Sequence, residues 1–318
     1  MSDTTTSLRR KIAGAKDLRS VVSTMKALAA ANIGQYEKAA RSLEDYYRAV
    51  QLGLSVCFRA DGLSAPAMGR KKRGNQGVTG AIVFGSDQGL VGQFNEVVAD
   101  HAAETLALLP GEKKIWAVGQ RVQDRLADLG LPVAGVFTVP LSIKAVTPLT
   151  GEMMVRVVAA HLAGSAASGK GQGGDALAEL YLFHNSSRSG SGHESFHQRL
   201  LPLDESWRRE LLTLPWPGKN LPEVIGGNAA TMRALIREYL FVSIFRACAE
   251  SLASENASRL AAMERAEKNI DELSVSLQHT FNRLRQSRID EELFDVIAGV
   301  EALAGGGSRS AGRMNKAE

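Results

Sequence analysis

Residues Asn228–Ala298 read NAATMRALIREYLFVSIFRACAESLASENASRLAAMERAEKNIDELSVSLQHTFNRLRQSRIDEELFDVIA, with neither glycine nor proline before Gly299. Apolar residues recur in steps of three and four. The first set is Leu235, Tyr239, Val242, Phe245, Ala249 and Leu252; Leu260, Met263, Ala266, Ile270, Leu273, Leu277, Phe281 and Leu284 follow. That spacing marks one helix with a narrow apolar seam, and Asn228 is a suitable N-cap. At a rise of about 1.5 Å per residue the helix reaches on the order of 100 Å. A helix this long with so narrow a seam needs a partner along its length.

The other end of the chain supplies one. From Ser7 to Arg59 there is no proline, and Leu8, Ile12, Ala15, Leu18, Val22, Met25, Ala29, Ile33, Tyr36, Ala40, Leu43, Tyr47, Val50 and Leu54 keep the same three-four rhythm. Gly14, Gly34 and Gly53 each cost about 1 kcal/mol in a helix interior, so this helix too depends on packing. The spacing predicts one N-terminal helix over residues 7–59 and one C-terminal helix over 228–303, paired as an antiparallel coiled coil. Residues 304–318, rich in Gly, Ser and Arg, are expected to be a flexible tail.

Between them, residues 78–220 alternate strand and helix. Strands are expected at 80–86 (GAIVFGS), 113–119 (KKIWAVG), 133–139, 177–184 and 195–203, and helices at 95–109, 121–129 and 147–165. Loops are expected at 61–77, 169–175 and 186–192. This order predicts a small Rossmann-like α/β domain with a largely parallel sheet. The fold class is therefore α/β with long helices.

Composition narrows the setting. Hydrophobic residues at 44% and charged residues at 23% are ordinary for a globular chain, while 6% aromatics leans toward helix rather than a thick core. A net charge of +4 points to an acidic partner: protein, nucleic acid or membrane surface. The two cysteines, Cys57 and Cys248, have no metal-like spacing and suit a reducing compartment. No apolar run approaches the roughly 20 residues that span a bilayer, and residues 1–7 lack the apolar core of a signal peptide. A cytosolic bacterial protein, attached to a membrane complex through partners, is expected.

Several motifs carry alternatives. His193-Glu194-Ser195-Phe196-His197 matches H-E-x-x-H, which binds zinc when both histidines share one face of a helix. Here the surrounding residues read as a strand, where positions four apart lie about 13 Å apart; a chance match is the other reading. Gly85-Ser86-Asp87-Gln88-Gly89-Leu90-Val91-Gly92 joins a strand to a helix and is either a phosphate cradle or a tight turn. Arg9, Arg10, Lys11, Lys16, Arg19 and Lys26 make the first helix basic, with Arg259, Arg265, Arg283, Arg285 and Arg288 on the last. That surface could track nucleic-acid phosphates or face a protein. Interleaved Glu264, Glu267, Asp271 and Glu272 favour the protein.

Three segments carry a resemblance. Ser251–Met263 (SLASENASRLAAM) is similar to the S-L-A-S-E-x-A-A-R-M-x-A-M of F-type ATP synthase gamma subunits. Asn282–Leu303 (NRLRQSRIDEELFDVIAGVEAL) resembles that family's ending, and Ser86–Asn95 (SDQGLVGQFN) resembles its S-D-R-G-L-C-G-G-F-N. The match runs in order from Leu8 to Leu303. Gln88, Val91, Gln93 and Asp290 depart from the family pattern, and its chloroplast-type regulatory cysteine pair is absent.

The resemblance implies a central rotor shaft that carries no catalytic, cofactor or metal residues of its own. It would couple ion flow through a membrane ring to ATP synthesis or hydrolysis in an alpha-beta hexamer. The implied partners are the alpha and beta subunits, the epsilon subunit and the membrane c-ring, with no nucleic acid. The implied location is peripheral, on the cytoplasmic side of the bacterial inner membrane. By resemblance, Arg259, Arg285 and Gln286 meet hexamer loops, with Glu255, Met25 and Lys26 at neighbouring contact positions, and charge reversal at Arg259 lowers coupling.

Overall fold

A computed structural model describes residues 4–60, 78–158, 177–187, 193–203, 205–220, 222–225 and 227–310; side chains at 158, 178, 187, 193 and 302–310 are outside the description. The expected loops at 61–77 and 169–175, most of that at 186–192, and the tail beyond 310 lie outside the described residues. The chain divides into two compact units, one of residues 1–25 with 263–318 and one of 26–262.

The larger unit is built on a five-stranded sheet. Its strands are β1 (Val78–Phe84), β2 (Lys113–Val118), β3 (Val133–Phe137), β4 (Leu177–Ser187) and β5 (His193–Leu201). They lie in the order β3-β2-β1-β4-β5, with every pairing parallel except β4–β5. All seven residues of β1 are buried, as expected for a central strand covered on both faces. Ala81 and Val83 join one layer with Val98, Ala102 and Leu106 of α3 (Phe94–Ala107) and Val122 and Leu126 of α4 (Gln120–Asp128). Ile82 and Phe84 join the other, with Leu54 and Phe58 of α2 (Glu44–Ala60) and Leu240, Ile244 and Leu252 of the C-terminal helix.

The long terminal helices run antiparallel within this unit. Asn32 Nδ2 reaches Asn256 Oδ1 at 3.4 Å, Tyr46 Oη donates to Glu238 Oε2 at 2.7 Å, and Asn228 Nδ2 donates to the Cys57 carbonyl at 3.0 Å. Numbers rise on one helix as they fall on the other. One half of the C-terminal helix thus serves as a layer of the α/β sandwich, more than the sequence reading assigned to it.

Three helices differ from expectation. The N-terminal helix is two, α1 (Thr5–Ser42) and α2, separated at Leu43. Ser42 Oγ donates to the Ala39 carbonyl at 2.9 Å, competing for an acceptor of the helical ladder. The two sides also have different duties: α1 offers a narrow seam, whereas α2 buries Val50, Leu54, Ser55, Cys57 and Phe58 beside the sheet. The helix expected at 147–165 begins earlier, as α5 (Ile143–Met153), and passes into a π-helical turn at Met154–Val158. A further helix, α6 (Glu205–Thr213), was not anticipated. Trp207 packs 4.5 Å from the Tyr239 ring, and Arg59 Nη2 donates to the carbonyls of Leu212 and Leu214 at 3.0 and 2.7 Å, satisfying groups at the helix end.

The smaller unit is a two-helix pair made of α1 up to Met25 and, from Met263, α7, the C-terminal helix Asn228–Ser310. Leu8, Ala15 and Met263 are buried in its seam. Arg9 lies over the Phe281 ring at 5.5 Å, Arg19 Nε meets Asp271 Oδ1 at 2.6 Å, and Arg288 Nη1 donates to Thr5 Oγ1 at 3.1 Å. The pairing is again antiparallel. The expected helix end at Leu303 falls inside α7, which stays helical through Gly305, Gly306 and Gly307 to Ser310. No helix of the described residues is long and apolar enough to cross a membrane.

Two glycines fix the loops at the carboxyl ends of β1 and β2. A Cβ on Gly85 would sit 2.3 Å from Val122 Cβ, and one on Gly119, whose φ is +113°, would sit 2.7 Å from the Ser86 carbonyl. Gly119→Ala combines overpacking with a disfavoured backbone and is expected to cost about 2–5 kcal/mol, read as a lower urea midpoint.

Candidate functional site

The turn after β1 places its side chains by hydrogen bonding. The Asn95 carboxamide accepts from the Ser86 amide at 2.9 Å and donates to Ser86 Oγ at 2.9 Å, both groups buried. Asp87 Oδ1 accepts from the Gln120 amide at 2.9 Å, and Asp87 Oδ2 accepts from the Val139 amide at 2.8 Å. The N-terminus of α4, where a phosphate would be drawn, is therefore occupied by a carboxylate of the chain itself. Asp87 thus ties the turn after β1 to the start of α4 and to Val139. Asp87→Ala removes two charge-assisted bonds and is expected to cost about 2–4 kcal/mol in a denaturant titration.

Leu90, in the same turn, has φ +64° and is 61% exposed. A bulky residue held in the left-handed region is strained. It was missed in the sequence because nothing in the composition of the turn marks which residue takes the positive φ.

The turn adjoins a buried polar layer on α7. Ser251, Ser254, Glu255, Asn256 and Ser258 are all buried there. Arg259 Nη2 donates to Glu255 Oε1 at 2.6 Å, and the two side chains keep only 13% and 7% of their surface exposed. Burial pushes the Glu255 carboxyl above its ordinary range; Arg259 opposes this and Asp87 adds to it. Burial likewise raises the Tyr36 hydroxyl across the seam, with Glu255 adding to the effect. Arg259 Nε and Ser254 Oγ find no hydrogen-bond partner among the described residues. The Cys248 thiol, fully buried, is pushed up to about 12 by burial and by Glu255. Both cysteines are free and buried, where a thiol behaves as a small hydrophobe.

Glu255 and Arg259 are joined in an ion pair that leaves little of either side chain exposed. The place of Arg259 opposite the α1 seam explains this: a guanidinium facing a packed helix needs a carboxylate within reach. Lys26, half-buried, lies in the same unit. Met25, half-buried, and Arg285 and Gln286, both exposed, belong to the two-helix unit.

The H-E-x-x-H segment lies on β5, with Glu194 opposite Ser186 and His197 opposite Phe183. The helix that a zinc protease needs is not there. His197 Nδ1 instead meets His101 Nε2 of α3 at 3.0 Å, one ring donating and the other accepting. Burial first, then His197, holds His101 below its ordinary value of 6.5.

On the opposite face of β4, His184 Nε2 and Arg246 Nε hold the two oxygens of Glu250 at 3.0 and 2.7 Å. Burial pushes Glu250 upward, but these two partners outweigh it and leave the carboxyl below its ordinary 4.5. A depressed carboxylate contributes stability above the unfolded value of 4.5, and that stability is lost as pH falls through the folded value. Glu250→Gln is therefore expected to flatten the acid limb of the stability curve below about pH 4.5, measured as urea midpoint against pH.

The end of α7 is of another kind. Every residue from 289 to 301 is exposed. Ile289, Leu293, Phe294, Val296, Ile297 and Val300 each leave 45% or more of their surface open. Apolar side chains presented together on a single helix mark a binding surface.

Comparison with known proteins places this geometry. The family model described as ATP synthase matches residues 4–303. The ATP synthase gamma chain of Mycolicibacterium smegmatis is 26% identical over 311 residues, covering 96% of this chain and 99% of that one. The gamma chain of Brucella abortus is 28% identical over 302 residues, covering 93% and 98%. Among solved structures, a chain of the Euglena gracilis mitochondrial ATP synthase OSCP/F1/c-ring assembly has a TM-score of 0.61 at 16% identity, covering 99% of this chain and 98% of that one. A chain of the Tetrahymena thermophila central stalk/c-ring has a TM-score of 0.51 at 17% identity, covering 77% and 99%. These likenesses show a shared fold.

Proposed function

The chain belongs to the ATP synthase family, its place there being that of the gamma subunit and central rotor shaft, and we propose that it transmits torque without performing chemistry itself. The observation that carries this reading is the bare apolar end of α7. A helix end that exposes six large apolar side chains requires an apolar surface around it in the working assembly. In a rotor, that surface is the inner bearing of the alpha-beta hexamer.

Torque follows from differential contact. An asymmetric helix pair turning inside the hexamer meets each catalytic subunit with a different face, and so favours a different open or closed state at each. The exposed Arg285 and Gln286 on α7 are suited to make and break contacts as the shaft turns. Met25 and Lys26, half-buried on α1, present a smaller surface to the same task. Arg259 and Glu255 serve it by stiffening the seam, because a buried ion pair fixes helix register.

The α/β unit is proposed to meet the epsilon subunit and the membrane c-ring. The complex would sit peripherally on the cytoplasmic face of a bacterial plasma membrane. Co-expression with the alpha and beta subunits of the same genome tests the reading. Co-elution as one assembly, with ATP hydrolysis that depends on this chain, is expected. Separate elution with hexamer activity unchanged would overturn it.

A further inference from the structure

We propose that the sleeve around the end of α7 carries lysine or arginine side chains at its mouth, outside an apolar lining; this rests on the shaft reading above and specifies the chemistry of the partner. Within the two-helix unit, the contact between Arg288 and Thr5 is the last described one before residues 289–301, all of which are exposed. α1 is described from Thr5 onward, and α7 runs past that contact to Ser310. At about 100° per residue, Ile289, Leu293, Val296, Ile297 and Val300 fall in one stripe roughly 100° wide. Asp290 and Glu292 border that stripe on its two sides, and Glu291, Asp295 and Glu301 fill the remaining face. Phe294, 69% exposed, lies outside the stripe among the acids. An apolar surface on more than one side suits an enclosing sleeve better than a flat wall.

Charge selects the occupant. Residues 289–301 hold five carboxylates (Asp290, Glu291, Glu292, Asp295 and Glu301) and no lysine or arginine, in a chain whose net charge is +4. Arg283, Arg285 and Arg288 stand just before them, so the sign reverses within two residues. An anionic membrane would repel this end. A second copy packed on the same stripe would set bordering acids against acids. A protein sleeve with basic groups at its mouth both covers the stripe and attracts its borders.

The test uses the full-length chain with four neutralising substitutions, Asp290→Asn, Glu291→Gln, Glu292→Gln and Asp295→Asn, all at exposed positions. Association with the alpha-beta hexamer is followed at low and high salt, with helicity checked by circular dichroism. The variant is expected to associate about tenfold more slowly at low salt and to lose most of the salt dependence seen with wild type. Equal rates and equal salt dependence would overturn the proposal alone. So would faster association of the variant. Failure of the wild-type chain to associate at any salt would instead remove the shaft reading, and this inference with it.

Discussion

Arg259→Met is expected to destabilise the chain by about 3–5 kcal/mol, because it strands the Glu255 carboxylate without its partner in a buried site. Glu255 keeps only 7% of its side chain exposed, and Arg259 is the nearest compensation it has. Without the guanidinium, burial and Asp87 push the Glu255 carboxyl further up. The sign then follows: an acid whose folded value is raised contributes stability below its unfolded value of 4.5 and loses it as pH rises through the folded value. The deficit of Arg259→Met relative to wild type should therefore be largest near neutrality and shrink toward pH 4.5. The double variant Glu255→Met with Arg259→Met removes both charges and should return to within about 1 kcal/mol of wild type, or exceed it. Urea titrations across pH read all three effects. A deficit for Arg259→Met that does not vary with pH would rule out the buried-carboxylate account. The same variants divide structure from function. If the pair acts by stiffening the seam, the double variant recovers ATP hydrolysis in the assembled complex. If Arg259 touches a hexamer loop, hydrolysis stays depressed although stability is restored.

That experiment extends the expectation from sequence, in which charge reversal at Arg259 lowers coupling through a contact with hexamer loops. A sequence shows that an arginine lies four residues after a glutamate on a helix. It does not show which face of a seam they share. The helix pairing, by contrast, was legible, because two long helices with narrow three-four apolar seams, one at each end of the chain, each need a partner along their length. So was the sheet, since short β-rich runs separated by amphipathic helices imply parallel strands. The break at Leu43 was not legible, because it depends on a serine hydroxyl taking a backbone acceptor and on the change from seam to sheet packing. The helix α6 left a fainter trace: Trp207 and Leu211 four apart, with Glu205 and Arg209 as a matching ion pair at 3.7 Å. Residues 304–310 misled in the opposite direction. Their glycines read as a tail, yet the helix continues through them.

The largest functional effect is expected at the end of α7, from Leu293→Ala, Phe294→Ala and Ile297→Ala combined. Each residue is at least 45% exposed, so the isolated chain gains and loses little by the change. Its unfolding midpoint should move by no more than about 0.5 kcal/mol, in keeping with surface substitutions. Alanine also preserves the helix, being the best helix former. The complex should respond differently. Full burial of a Leu, Ile or Phe side chain is worth about 1.5–3 kcal/mol, and three truncations that forfeit even part of it remove roughly 3 kcal/mol from binding. That corresponds to a lifetime of the hexamer complex about 100-fold shorter, since losses at an interface fall mainly on dissociation. Dilution of the assembled complex, followed by size-exclusion at timed intervals, measures it. A lifetime within twofold of wild type would mean that the apolar end of α7 is not gripped, and the bearing would have to be sought along the two-helix pair, where Arg285 and Gln286 are exposed. A shortened lifetime together with normal stability of the isolated chain would separate the surface that holds the shaft in place from the buried seam that keeps it straight.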